Sequence, residues 1–260
     1  MALRRRAAVL LSVSLSLAAA PWAHSAAPVP PDPHPLKPRT GLPPFQYQAA
    51  TDRLPNYVPS DKWGVQGAPL TEMQAPLPPE ESARHLVVQP GFSVALWAAE
   101  PQIVKPIALA WDTRGRLWIA ETVDYPNDQQ PDGQGRDRIK ICEDTDGDGR
   151  ADKFTVFAEH LSIPTSLCFA NGGLIVIEGG HTLFLKDTNG DDVADERRVL
   201  FSGWGMGDTH ATASNLRYGD DGWIWGTVGY SGFQGQVGGK ELKFSMGVYR
   251  FRPDGTEMEF

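Results

Sequence analysis

The stretch DTHATASNLRYGDDGWIWGTVG, residues 208–229, contains the pattern that decides the fold. An apolar segment ends at Tyr218, a Gly-Asp-Asp-Gly turn occupies 219–222, and a second apolar segment runs from Trp223 to Val228. Two segments of strand-forming residues around a short glycine-containing turn are typical of a β-hairpin. The stretch therefore predicts a hairpin with His210 at its entrance.

The same plan occurs twice earlier in the chain, at residues 107–121 and 165–178. The turn glycines of the three copies, Gly115, Gly173 and Gly222, are 58 and 49 residues apart. A unit of short strands and turns that recurs about every fifty residues is typical of a β-propeller blade. The repeats predict an all-β fold, with 85–260 as a partial β-propeller domain.

Each repeat is expected to contribute four consecutive strands. The predicted strands are 107–112, 116–122, 137–142, 153–158, 165–170, 173–178, 181–187, 196–201, 211–218, 222–228, 246–252 and 256–260. An alternating segment, Phe92–Trp97, is expected to be the strand that completes the last blade of the ring. Because propellers have about four to eight blades, three repeats lead us to expect a fragment of a longer protein.

Residues 1–25 have the features of a signal peptide. Arg4–Arg6 precede an apolar run over 7–20, and Ala23-His24-Ser25 suits cleavage after small residues. The apolar run is too short to span a bilayer. We therefore predict that the protein is periplasmic or otherwise exported.

Residues 26–84 are predicted to be a mostly extended, proline-rich linker. Of the 22 prolines in the chain, 14 lie between Pro28 and Pro79, and proline lacks the backbone donor that sheets and helices need. A short helical turn is expected from Pro79 to Leu86. The formal net charge of −8 argues against nucleic acid or an anionic membrane as a partner.

Two acidic loops occur at equivalent places, between the predicted third and fourth strands of the first two repeats. The candidate ligands are Asp144, Asp146, Asp148 and Asp152 in the first loop and Asp187, Asn189, Asp191 and Asp195 in the second. Oxygen ligands at alternate positions around a glycine turn can converge on calcium. Neither loop is an EF-hand, since Thr155 and Arg198 stand at the twelfth position and Asp192 replaces the second loop's glycine. A calcium site and a solvated hairpin turn both stay open.

His210 is the candidate catalytic residue, because it enters the predicted first strand of a blade, which in propellers lines the central channel. A neutral imidazole can take a proton from a hydroxyl group at neutral pH. Asp208, two residues back on the same face of that strand, is placed to orient the ring. The alternative is a structural histidine bonded to a backbone carbonyl.

Aromatic residues in the glycine-rich segment 229–239 predict a binding pocket next to His210. Tyr230 and Phe233 are the candidate cofactor-binding residues of this segment, and an aromatic platform also suits the face of a sugar. The glycine-rich loop at 132–135 is a weaker candidate for the border of a pocket. Cys142 and Cys168, the two cysteines, suit either core thiols or a disulfide.

The third repeat resembles the active-site blade of the quinoprotein glucose and sorbosone dehydrogenases. The matching residues are Asp208-Thr-His210, Leu216, Gly219-Asp-Asp-Gly222, Trp223-Ile-Trp225 and Gly229. The resemblance implies a six-bladed propeller that binds pyrroloquinoline quinone (PQQ) over the channel mouth. It also implies that His210 is the general base while hydride passes to the quinone.

The first repeat resembles the N-terminal propeller of planctomycete-type proteins assigned as membrane-bound dehydrogenases, the haem-binding-protein family. The matching residues are Gly91-Phe92, Leu117-Trp-Ile-Ala-Glu121, Asp124-Tyr-Pro126 and the loop that begins at Asp144. Such proteins often continue into helical repeats and a c-type haem domain. The resemblance implies oxidation of a small sugar or alcohol, with an electron acceptor such as a c-type cytochrome. The alternative is a non-catalytic binding or scaffold module of a larger redox protein.

Overall fold

The computed structural model describes residues 40–49, 72–126 and 128–260. The predicted signal peptide, residues 1–25, and most of the predicted linker lie outside the described residues. Within the described ranges, no helix is both long and apolar enough to cross a membrane.

The N-terminal part contains a two-stranded ribbon and one helix. Strand β1 (Tyr47–Ala49) pairs antiparallel with β2 (Glu72–Gln74), and helix α1 (Pro79–His85) follows. The predicted helical turn is confirmed, whereas the ribbon was not expected in a linker. The predicted strand at Phe92–Trp97 has no strand partner among the described residues, so its place in the last blade of a ring stays a prediction. The segment lies beside the first blade, where the Trp97 carbonyl accepts a hydrogen bond from the backbone of Ala151 at 2.8 Å.

Three four-stranded antiparallel sheets follow, and they form three consecutive blades. The first blade contains β3 (Pro106–Trp111), β4 (Leu117–Glu121), β5 (Asp137–Glu143) and β6 (Lys153–Leu161). The second contains β7 (Pro164–Ala170), β8 (Gly173–Glu178), β9 (His181–Lys186) and β10 (Glu196–Ser202). The third contains β11 (Ala213–Tyr218), β12 (Ile224–Val228), an inserted hairpin of β13 (Phe233–Val237) and β14 (Lys240–Phe244), then β15 (Gly247–Phe251) and β16 (Met258–Glu259). The predicted all-β propeller fold with three four-stranded blades is confirmed.

The blades stack face to face around their first strands, since β7 lies between β3 and β11 and contacts both. The middle blade is apolar on both faces. In β8, Leu174 and Val176 pack into the core shared with the first blade, while Ile175 and Ile177 pack into the core shared with the third. An uninterrupted apolar run is the pattern expected of a strand buried on both sides.

Because successive strands reverse direction, the connecting loops gather at two opposite ends of the blades. One end, here called the acidic end, contains residues 112–116, 144–152, 187–195 and 219–223. The other, here called the His210 end, contains residues 122–136, 162–163, 179–180, 203–212 and 229–232.

An ionic clamp joins the first two blades at the acidic end. Asp192 has a φ of 65°, in the left-handed region that usually favours glycine, and so occupies the turn position where a calcium loop has glycine. Its carboxylate accepts hydrogen bonds from Arg114 at 3.0 Å and from Arg116 at 2.9 Å. Arg116 also pairs with Asp112 at 2.7 Å. The second acidic loop is therefore anchored to the neighbouring blade by the residue that departs from the calcium-loop pattern.

Residues 229–239, predicted to be a glycine-rich pocket segment, instead contribute to the inserted hairpin β13–β14, which was not expected. Close packing requires glycine in this segment, because a Cβ on Gly235 would lie 2.2 Å from the backbone oxygen of Ser202. A Cβ on Gly205 would lie 1.9 Å from the backbone oxygen of Ser231. The approach lets Phe233 pack against Trp204, with ring centroids 4.7 Å apart, so the hairpin extends the core between the second and third blades.

Cys142 and Cys168 are both buried, free thiols. Cys168 faces the core between the second and third blades. Cys142 lines a cavity with Leu117 on the other side of the first blade. Burial raises the pKa of each thiol to about 11. Two cysteines that face different layers cannot form a disulfide without moving the backbone.

Removing the charge of Asp192 tests the clamp between the blades. We expect Asp192→Asn to lower the free energy of unfolding by about 1–2 kcal/mol, because the buried Arg116 loses one of its carboxylate partners. The matched control is Asp191→Asn, an exposed neighbour whose side chain, within the described part of the chain, accepts only from the backbone of Val193. Chemical denaturation measures the free energy of unfolding of both variants. An equal loss in Asp192→Asn and Asp191→Asn would contradict the clamp.

Candidate functional site

His210 lies in a short 3-10 turn, Thr209–Ala211, and the first strand of the third blade begins only at Ala213. The predicted placement of His210 and Asp208 on one strand face is wrong. Asp208 instead caps the turn, because its Oδ1 accepts a hydrogen bond from the backbone N–H of His210 at 2.9 Å. Aspartate commonly bonds the backbone two residues on in this way.

The turn nevertheless brings the two predicted catalytic side chains together. Nδ1 of His210 lies 3.0 Å from Oδ1 of Asp208, and the hydroxyl of Tyr230 donates to Oδ2. Nε2 of His210 has no partner in the described part of the chain, and the side chain is 62% exposed. The imidazole is thus held on one nitrogen and open on the other.

The contacts of Asp208 stabilise its ionised form. The hydrogen bond from Tyr230 and those from the backbone and ring of His210 lower the pKa of the Asp208 carboxyl. The same bond raises the pKa of the Tyr230 hydroxyl. At neutral pH the Asp208 carboxylate is therefore ionised and can accept a hydrogen bond from a proton on Nδ1 of His210.

A loop of the first blade reaches across to this turn. The rings of Tyr125 and His210 are in edge contact, with centroids 5.2 Å apart, and the hydroxyl of Thr209 donates to the backbone oxygen of Pro126 at 2.8 Å. No role was predicted for Tyr125 from the sequence. The feature of the sequence that could have indicated one is the connection between β4 and β5, which is longer than a hairpin needs.

A buried carboxylate holds that loop in shape. Asp137, at the start of β5, accepts hydrogen bonds from the Thr122 hydroxyl at 2.8 Å and from the backbone N–H groups of Val123, Asp124 and Ile163 at 2.6, 3.0 and 2.6 Å. One side chain therefore ties both ends of the loop to the start of the next blade.

Arg136 and His181 fix the rest of the loop. Arg136 donates through Nε to the buried Asp124 at 2.5 Å and also pairs with Asp128. His181, on β9, lies 3.1 Å from Asp132 through Nε2 and 2.7 Å from Ser202 through Nδ1. The predicted border loop at 132–135 is thus attached to the second blade.

The two predicted cofactor-binding residues have different environments. Tyr230 is 61% exposed, whereas Phe233 is 2% exposed and packs against Trp204 and Phe244. Both border a cavity of about 530 Å³ between segment 203–205 and β14. Tyr230 presents a ring face, and Phe233 serves mainly as part of the core.

In the first acidic loop, the carboxylates of Asp144, Asp146 and Asp148 have oxygens within 4.8 Å of one another. Backbone N–H groups, that of Gly149 foremost, lower the pKa of Asp144. Asp152 is engaged elsewhere, since it accepts from the backbone and hydroxyl of Thr145 at 3.1 and 2.8 Å.

In the second acidic loop, Asp187 accepts from the backbone of Asn189, Gly190 and Asp192. Asp195 binds Thr188 as Asp152 binds Thr145. The oxygens of Asn189 and Asp191 each accept from the backbone two residues on. Both acidic loops lie at the end opposite His210, so the structure does not bring the two groups of predicted site residues together.

The pKa of Asp208 gives a direct test of the Tyr230 contact. We expect the carboxyl to titrate below the usual range of aspartate, so its contribution to stability is present above the ordinary aspartate pKa and is lost as pH falls through the lowered one. Tyr230→Phe should raise that pKa, because the largest cause of its lowering is removed. Carbon-13 NMR titration measures the change, with Tyr218→Phe as control; an unchanged pKa in Tyr230→Phe would contradict the contact.

Two solved structures are similar to part of the chain. The PQQ domain of pyranose dehydrogenase from Coprinopsis cinerea, in its holo form, matches 50% of this chain and 29% of that one, at 18% identity and a TM-score of 0.37. A protein from Thermus thermophilus, provisionally assigned as an oxidoreductase (glucose dehydrogenase), matches 54% of this chain and 43% of that one, at 19% identity and a TM-score of 0.30. The chain spans less than half the length of either structure.

Sequence comparison gives a more extensive match. No curated protein matches the chain. The model of the family described as "Domain of unknown function (DUF7133)" matches residues 78–260, which include α1 and all three blades. The chain therefore belongs to the DUF7133 family.

Proposed function

We propose that the protein is an exported quinoprotein-type dehydrogenase that oxidises a sugar or a related alcohol with PQQ as the hydride acceptor. The observation that carries the proposal is the state of His210. Its Nδ1 is held by Asp208, and its Nε2 is exposed and without a partner in the described residues. A general base needs this arrangement, in which one nitrogen is oriented and the other is free to take a proton.

The residues of the chain support the proton transfer as follows. Nε2 of His210 accepts the proton of the substrate hydroxyl, and the carboxylate of Asp208 stabilises the imidazolium that forms. The bound quinone supplies the acceptor for the hydride. The ring of Tyr125 packs against the edge of His210 and restricts the orientations of the imidazole.

The residues at the His210 end also fit a planar quinone that carries carboxylates. Tyr125 offers an aromatic ring in contact with His210, and Tyr230 offers another, whose hydroxyl binds Asp208. The guanidinium of Arg136 is 53% exposed and has donors beyond those that bind Asp124 and Asp128. Aromatic faces with a few charged groups are the usual lining of a cofactor site.

Export and the electron acceptor belong to the same proposal. The N-terminal residues 1–25 support transfer to the periplasm or beyond. A quinone reduced there needs a partner that removes electrons, and we propose a c-type cytochrome in this role.

A second candidate function is a non-catalytic binding or scaffold module of a larger redox protein. It is favoured by exposed apolar side chains on the outward faces of the first and third blades. Leu109 and Trp111 are 61% and 57% exposed, and Tyr218 and Val248 are 53% and 56% exposed. Apolar patches of this kind suit contacts with other protein surfaces.

Dye reduction in the presence of PQQ and calcium, measured over a panel of sugars and alcohols, separates the two functions. We expect quinone-dependent turnover that falls by about a hundredfold or more in His210→Asn, the scale of a lost general base. The matched control is His160→Asn, since His160 is exposed and its φ of 59° suits asparagine. If the protein neither binds the quinone nor turns over any substrate, the dehydrogenase function is contradicted and the scaffold function is supported.

We also propose that the first acidic loop binds calcium, on the basis of its three clustered carboxylates. Calcium at about 100 times its dissociation constant should then stabilise the protein by about 2.7 kcal/mol. Asp148→Asn should abolish this effect, and Asp191→Asn, at the equivalent position of the second loop, should retain it. Thermal melting with and without calcium checks both variants; equal behaviour of wild type with and without the ion would contradict the proposal.

A further inference from the structure

Tyr230 contacts the turn that contains His210 through the side chain of Asp208. It lies in the connection between β12 and β13, and its hydroxyl donates to Oδ2 of Asp208. The next residue, Ser231, donates through its hydroxyl to the backbone oxygen of Asp208 at 2.9 Å and through its backbone to Ala211 at 3.2 Å. The segment thus contacts both the side chain and the backbone of the residue that orients His210.

The two oxygens of the Asp208 carboxylate have separate partners. Oδ1 accepts from the backbone N–H of His210 at 2.9 Å and lies 3.0 Å from Nδ1 of the ring, and Oδ2 accepts from the hydroxyl of Tyr230. A carboxylate bonded on one oxygen only can rotate about its side-chain torsions, whereas bonds on both oxygens fix its plane.

We propose that Tyr230 is a positioning residue that fixes the Asp208 carboxylate and thereby holds His210 with its proton on Nδ1 and a bare Nε2. The tautomer of a histidine is set by the hydrogen bond that one nitrogen makes, and a third group that orients the base is a recurrent part of such sites. The use of this tautomer in catalysis rests on the proposed function, but the tautomer itself does not.

Burial alone does not fix the orientation or the tautomer of the His210 ring. The ring is 62% exposed, so burial does not select its orientation, and an imidazole free in water prefers the proton on Nε2. Tyr125 contacts the ring by its edge, and its hydroxyl makes no hydrogen bond in the described residues. The Asp208–Tyr230 pair is therefore what opposes the intrinsic preference of the imidazole.

Long-range proton–nitrogen NMR of the ¹⁵N-labelled 260-residue chain at neutral pH tests the proposal without substrate or quinone. The two ring nitrogens have distinct shifts in the two tautomers, and His210→Gln assigns the resonances among the six histidines. Wild type should show His210 predominantly with Nδ1–H. Tyr230→Phe should convert it to a mixture with a large share of Nε2–H.

Two further variants complete the design. In Asp208→Asn, His210 should also lose the Nδ1–H form, because the carboxylate that accepts this proton is removed. Tyr125→Phe, the matched removal of a hydroxyl from the tyrosine whose ring contacts His210, should keep the wild-type tautomer. Circular dichroism and thermal melting confirm that each variant is folded.

The proposal is overturned if wild type shows Nε2–H, or if folded Tyr230→Phe keeps the wild-type tautomer. Where turnover is measurable, Tyr230→Phe should lower kcat by about tenfold with little change in KM, the scale of a lost outer hydrogen bond to a functional histidine. A locked tautomer without any turnover would contradict the proposed function and leave the positioning role of Tyr230 intact.

Discussion

The structure depends on the burial of the second blade between its two neighbours. Four consecutive residues of β8, Leu174–Ile177, alternate between the two cores and are all fully buried. Burial of an aliphatic side chain contributes roughly 1.5–3 kcal/mol, so this strand contributes to both interfaces at once. The relative position of the first and third blades follows from this packing.

The candidate site is a consequence of that arrangement. Tyr125 belongs to the first blade, whereas Asp208, His210 and Tyr230 belong to the connections around the third. The loop at 122–136 crosses the second blade and is held there by the contact between Asp132 and His181. A change in blade packing would thus separate Tyr125 from His210 even if every local turn were preserved.

Polar and glycine residues explain where the repeats depart from one another. Asp137 organises the long connection between the second and third strands of the first blade, and Gly205 permits the close approach of the hairpin inserted at the equivalent place in the third. Asp192 stands where a calcium loop has glycine, and its carboxylate binds Arg114 and Arg116 of the adjacent blade. These residues serve contacts between blades, which a repeat pattern within one blade does not encode.

The sequence by itself determined the blade plan, most strand positions and the proximity of Asp208 to His210. Alternation, turn glycines and a spacing of two residues are local properties, and local geometry is enough to read them. Only the tertiary structure decided that Phe233 is buried, that Tyr125 contacts His210, and that Tyr230 binds Asp208. These outcomes join residues far apart in the chain. They depend on how whole blades and inserted loops pack, because long-range burial and hydrogen bonding override local propensity.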